Sequence, residues 1–330
     1  MMKPVLLTVE QTAEKIASGM VLSLAADEAL LARLPKGNWI AGTIPYFLGE
    51  DGGVETKDKI FVTELSAANA SNVAICTYTL DTIKDVARDA PENGFTVLIV
   101  PAMTPIHEEF ANHGRDYEDM FMKPIIGWIS GVHLSDLDKV KPKVMNGVTG
   151  RLADADAVAL HVTLPAGKVA VVQILNLFKQ GTGDVITFPK TGFNQTTCMV
   201  NGAERVFADY IAENQLDLKL PLVADYHGAQ INTSFQGVDA ATRQVNFYAP
   251  VFPGIEYRHA APIGDYAREF EKLAKEAHVD VQFSCNCILN YLYGELNGRK
   301  IGGVGGPFTF GEIAYQLLNQ TMVYLEVQSE

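Results

Sequence analysis

The sequence predicts a mixed α and β protein of α+β class, built as two sheet-based lobes covered by helices. Three observations carry this. Helix signals and short apolar strand candidates alternate through the first 142 residues. Strand candidates dominate from Lys143 onward. The chain then closes on a glycine-rich segment and a last apolar strand candidate. At 330 residues, 48% of them hydrophobic and 20% charged, the chain has volume for two cores. The lobes are expected at residues 1–142 and 143–330.

In chain order, residues 9–17 read as a helix with Thr8 as its N-cap and Gly19 as its terminator. A strand over 20–26 runs into Asp27, which caps a helix over 28–34 ended by Pro35 and Gly37. A strand over 38–47 is broken at Gly42 and Pro45, and strands over 59–65 and 73–79 follow. A helix is expected over 81–88. The β-branched run 96–101 reads as a buried strand. Short helices over 105–112, carrying His107, and over 116–121 precede a close-packed strand over 125–134. Beyond Lys143, strands are expected over 144–150, 157–164, 168–177 and 184–188, with Pro165-Ala166-Gly167 as a hairpin turn. An amphipathic helix over 202–214, strands over 220–224, 229–235 and 244–251, and a helix over 265–277 complete this half. Leu-Pro followed by a strand and a glycine turn occurs at Leu34-Pro35 and again at Leu220-Pro221, the pattern of a duplicated sheet unit.

The net charge of −13 argues against a nucleic-acid or anionic-membrane surface, since both require dense Lys and Arg. The longest apolar runs, such as 169–178, are too short to span a bilayer. The N-terminus lacks a secretory pattern, and four cysteines do not make a disulfide framework. A cytoplasmic, reduced protein is expected.

The chemistry-bearing residues concentrate between Ser284 and Val327. Cys285-x-Cys287 opens this stretch, and a helix candidate over 288–296 follows. Then come Gly302, Gly303, Gly305 and Gly306, Pro307, Phe308-Thr309-Phe310-Gly311-Glu312 and Asn319-Gln320-Thr321. Glycines at this density allow close approach of a ligand or another strand. No Gly-x-Gly-x-x-Gly or P-loop pattern occurs, so a nucleotide triphosphate is not indicated. Cysteines two apart on a strand point the same way and read first as buried packing residues. No second pair lies nearby, so no structural zinc is expected. Asp225-Tyr226-His227-Gly228 follows a strand, where binding groups often sit. Glu256-x-x-His259 occurs once, short of a di-metal set. There is no Gly-x-Ser-x-Gly elbow and no Cys-x-x-Cys-His.

Gly306-Pro307-Phe308-Thr309-Phe310-Gly311-Glu312-Ile313, followed by Asn319-Gln320-Thr321, resembles the closing motif of the FIST family (F-box and intracellular signal transduction proteins). Ser284-Cys285 and Gly294-Glu295 match the lead-in of that motif, and the strand Trp39 to Thr43 resembles its N-terminal region. The resemblance implies a cytoplasmic sensory protein without catalysis. It would bind a small metabolite such as an amino acid and signal through a partner protein or a homo-oligomer. It also ranks Cys285 above Cys287 as a pocket residue. With the residue reading, the expected ligand-binding set is Cys285, Gly302, Gly303, Gly305, Gly306, Phe308, Glu312, Asn319 and Thr321, with Tyr226 and His227. Glu312 either opens a helix over 313–318 or holds a ligand's amine. No cofactor is expected. The alternatives are a cysteine- or metal-dependent hydrolase and a gas sensor with non-covalently bound haem.

Overall fold

The computed structural model describes residues 5–65, 72–226, 228–276, 281–300 and 304–329, and the side chains of all of these but 274–276. Strand Leu22–Ala26 runs into Asp27, whose carboxylate accepts the Ala29 N–H and starts the helix Glu28–Leu31. The chain then returns as Trp39–Thr43, parallel to the first strand with Leu22 opposite Trp39. This strand–helix–parallel strand unit occurs twice more. One copy is Gly94–Pro101, Pro105–His113 and Ile125–Ser130; the other is Val281–Cys287, Ile288–Tyr293 and Gly306–Thr309. A parallel pair needs a crossover, and the short helices supply it.

Each unit sits inside a six-stranded sheet whose remaining pairs are antiparallel. Strands from both sides of residue 142 share these three sheets. Val144–Asn146 pairs with Trp39–Thr43, Gly306–Thr309 with Tyr46–Gly49, and Glu312–Ala314 with Ile125–Ser130. A fourth six-stranded sheet and a three-stranded one are built from residues between 186 and 259.

The protein is of mixed α and β class, but helices do not cover its sheets. The largest core is made where sheets face one another. It joins Ile40 and Phe61 of the first sheet, Ile99 and Trp128 of the second, and Phe283, Cys285 and Val323 of the third. Two helices pack in smaller clusters, Val9–Ala17 with Ile16 beside Leu24 and Pro105–His113 with Phe110 beside Val100, while Ile288–Tyr293 sets Ile288, Leu289 and Tyr291 into the main core. No helix among the described residues is long and apolar enough to cross a membrane.

Several local expectations change, among them the helix expected over 116–121, where only a 3-10 turn, Gly114–Asp116, precedes turns. The helix expected over 81–88 is a single 3-10 turn, Ile83–Asp85. Asn201 and Gly202, at φ 48° and 84°, form a tight turn that pairs Val200 with Ala203, so the helix there starts only at Phe207. The Pro165-Ala166-Gly167 turn joins strands of different sheets rather than a hairpin. The expected repeat also separates: Trp39–Thr43 is a parallel strand, while Leu222–Tyr226 belongs to an antiparallel pair with Ala229–Thr233.

Candidate ligand site

Two of the three strand–helix junctions end on one cavity of about 650 Å3. The first junction contributes Ala102 to Pro105, His107 and Glu108; the second contributes Cys287, Ile288, Leu289 and Leu292. Phe193, Phe247 and Tyr248 of the three-stranded sheet face them, and Phe310 and Asn319 come from the closing segment. Loops at the carboxyl ends of strands are where open α/β sheets place ligands.

His107 is set by its helix end. Thr104 caps the helix by accepting the His107 N–H, and Pro105 follows in the first turn. The His107 Nδ1 accepts the Met103 N–H at 3.3 Å, with Met103 at φ 57°. Burial pushes this imidazole down to about 4, so it is neutral at pH 7. With Nδ1 as acceptor, the ring proton sits on Nε2. That buried Nε2 has no partner, which leaves a donor without an acceptor beside the cavity. The ring leans on Phe193, with centroids 5.6 Å apart.

Behind the opposite wall lies Glu312, 0% exposed and paired in its sheet with Trp128 and Leu318. Its Oε2 accepts the Thr321 hydroxyl at 2.7 Å and the Thr321 N–H at 3.2 Å, while Oε1 has no hydrogen-bond partner. Burial raises its pKa to about 8 against the lowering effect of those bonds, so the neutral acid predominates at pH 7. The Cys287 thiol interacts with this carboxyl, and burial and the Glu312 charge push the thiol's pKa well up. The backbone N–H groups of Gln320 and Leu289 oppose that rise. Tyr248 lines the same cavity, and its pKa is raised by burial and then by Cys287.

Asn319 reaches the cavity wall from a tightly held turn. Its Nδ2 donates to the Leu318 carbonyl at 3.0 Å, and its Oδ1 accepts the Ser234 N–H at 3.5 Å. Gln320, at φ 48°, accepts from the Ser234 hydroxyl at 2.7 Å and donates to the Lys219 carbonyl at 3.0 Å.

The structure therefore brings Glu312, Asn319 and Thr321 together. Cys285 points elsewhere, its Sγ donating to the Gly127 carbonyl at 3.1 Å, and Cys287 is the cysteine on the cavity wall. Phe308 is fully buried, its ring 5.0 Å from that of Tyr291. Tyr226 lies at a separate crevice with Phe252 and Tyr257, beneath the Arg115 guanidinium. His227, Gly302 and Gly303 lie outside the described residues. Gly305 accepts from the Ser284 hydroxyl. Gly306 is needed for close approach: a Cβ there would stand 2.5 Å from the Ser284 carbonyl oxygen. Gly306→Val is therefore expected to cost about 1–3 kcal/mol in urea denaturation. An unchanged midpoint would show that this crossing is loose.

The helix expected over 313–318 is a β-hairpin of Glu312–Ala314 and Gln316–Leu318, with Tyr315 at φ 64° as its tip. Glu312 is thus a strand residue and not a helix-end charge. His107, Cys287 and the aromatic wall from Phe193, Phe247 and Tyr248 were not among the expected ligand contacts. The Thr-Pro helix start before His107 was the one local signal for them. Among the described residues, no group of three or more His, Cys, Asp or Glu could hold a metal ion. His259 instead faces the Asp217 carbonyl at 2.9 Å.

Fold and cavity together define an α+β protein with a metabolite-sized pocket at the ends of its parallel units. The chain belongs to the family of unknown function DUF6976, whose model matches residues 7–328. A search of curated proteins found no match.

Proposed function

We propose that this chain binds a small, largely apolar metabolite in the 650 Å3 cavity, as a sensory protein of the kind its FIST-like closing motif implies. The observation that carries the reading is the unpaired His107 Nε2–H beside a cavity of ligand size. An acceptor oxygen on the ligand would satisfy that donor once a turn of the ring brings Nε2 to the cavity surface. The aromatic and aliphatic walls supply the burial. A signal would pass to a partner protein or a second copy. An amino acid with an apolar side chain is one candidate, because Glu108 and Asp138 on the wall can meet an ammonium.

Native mass spectrometry and a thermal-shift screen of metabolites test this. A ligand present at 100 times its Kd is expected to stabilise the fold by about 2.7 kcal/mol. His107→Ala should weaken binding by about 0.5–1.5 kcal/mol, the worth of one neutral hydrogen bond. Leu292→Trp, at a 40% exposed wall position, should block the cavity without loss of folding. A ligand bound equally well by the blocked variant would place binding elsewhere, and a chain that no metabolite shifts would end the proposal.

A further inference from the structure

We infer that the strand Lys168–Asn176 is a docking edge for a second copy of this chain, the two strands pairing antiparallel so that two six-stranded sheets join into one. This stands independently of the binding reading. The strand ends its sheet and is held on one side only, by Thr321–Ser329, over nine consecutive pairs without a bulge. A strand paired on one side turns the N–H and C=O groups of alternate residues outward. Among the described residues, no backbone group of this strand bonds to other backbone outside that pairing except the Lys168 N–H, which meets the Pro165 carbonyl. All nine residues are half-buried, and none is fully covered.

Protein edges are ordinarily blunted by brevity, proline, bulges or charge. The other strands that end the described sheets are three to seven residues long. This one has nine residues and neither proline nor glycine. Its one charge, Lys168, sits at the end and donates to the Ser329 hydroxyl at 3.0 Å. Val169 to Leu175 carry no charge in a chain of net charge −13, so two copies can meet here without opposing like charges. The run is also self-complementary, which favours a second copy over an unrelated strand. A two-fold axis through Val172 sets Val171, Ala170, Val169 and Lys168 opposite Gln173, Ile174, Leu175 and Asn176 of the other copy. That register aligns the apolar runs and keeps the two lysines at opposite ends. Ala170, Val172 and Ile174 pack against the main core, so Val171 and Gln173 lie on the other face, beside Glu326 and Tyr324 of the neighbouring strand.

The test uses the full chain without added ligand. Light scattering over a series of concentrations is expected to give twice the mass of one chain. Amide hydrogen exchange over residues 169–175 is expected to slow as concentration rises. Val171→Lys/Gln173→Lys opposes like charges at two symmetry-related places and should raise the dimer dissociation constant at least about tenfold, with an unchanged far-UV circular dichroism spectrum. Val171→Lys/Gln173→Glu sets opposite charges at the same places and should restore the dimer. In both variants the new lysine stands beside Glu326 of its own chain, where a single copy accommodates it. If the two-lysine variant fails to fold, the exchange measurement on the wild type decides. A wild type that stays monomeric overturns the inference, and so does a dimer that the two-lysine variant leaves intact. Protection of 169–175 at every concentration in a monomer would show that the chain covers this edge itself, which overturns it as well.

Discussion

Between pH 6.5 and 8 the folding stability of the wild type relative to Glu312→Gln is expected to fall by about 1.5–2 kcal/mol. Glu312 has a folded-state pKa of about 8 against an ordinary 4.5, caused first by burial. Between those values the folded chain holds a proton that the unfolded chain has released. Its stabilising contribution is therefore complete below pH 4.5 and falls as pH rises to 8. Two buried histidines act in the opposite sense at lower pH. His107 and His161 are both pushed down to about 4 by burial, so the unfolded chain binds more protons between pH 4 and 6.5. Between about pH 6.5 and 7.5 the unfolded chain still holds part of a proton on each histidine, a contribution common to the wild type and Glu312→Gln, so the difference between the two reads Glu312 alone. Urea denaturation of the wild type and Glu312→Gln at several pH values across this window is the measurement. Parallel stability curves would mean that Glu312 is ionised in the folded protein, with its Oε1 satisfied by a group outside the described contacts.

Gly127→Ala is expected to destabilise the fold by about 3 kcal/mol or more. A Cβ at this position would stand 1.8 Å from the Leu98 carbonyl oxygen and 2.7 Å from its carbonyl carbon. Those are backbone atoms of the parallel partner strand, so no rotamer change relieves the clash. The strands Gly94–Pro101 and Ile125–Ser130 would have to separate, and the first of them leads directly to the cavity wall at Ala102. The Gly127 carbonyl also accepts from Cys285, so the second and third sheets are disturbed together. Gly183→Ala is the control, because no atom lies within 4 Å of its added Cβ. A denaturation midpoint for Gly127→Ala equal to that of the control would show that the parallel pair can shift without cost.

Features governed by neighbours in the chain were legible from residue order. Thr8 and Gln11 form the capping box of Val9–Ala17, and Asp27 caps the next helix, as their positions before apolar residues implied. The apolar runs that became Gly94–Pro101, Ala157–Thr163 and Lys168–Asn176 were equally plain. The closing segment was recognisable as a place of interest because glycines, Glu312 and polar residues crowd there. Where local spacing fits two structures, the chain order misled. Ile313, Leu317 and Leu318 have helical spacing, yet pairing with Ile125–Ser130 draws their segment into a hairpin.

Only the tertiary structure decided the chemistry of the site. Cys285 and Cys287 share a strand, and nothing in their order says that one meets Gly127 while the other borders a cavity. Glu312 owes its raised pKa to burial between Trp128 and Leu318 and to bonds from Thr321 too few to offset it. The cavity itself draws walls from segments around positions 104, 193, 247, 288 and 319. A local pattern records what its own backbone prefers. Burial, and with it protonation state and pocket shape, is a sum over segments far apart in the chain that only folding brings together.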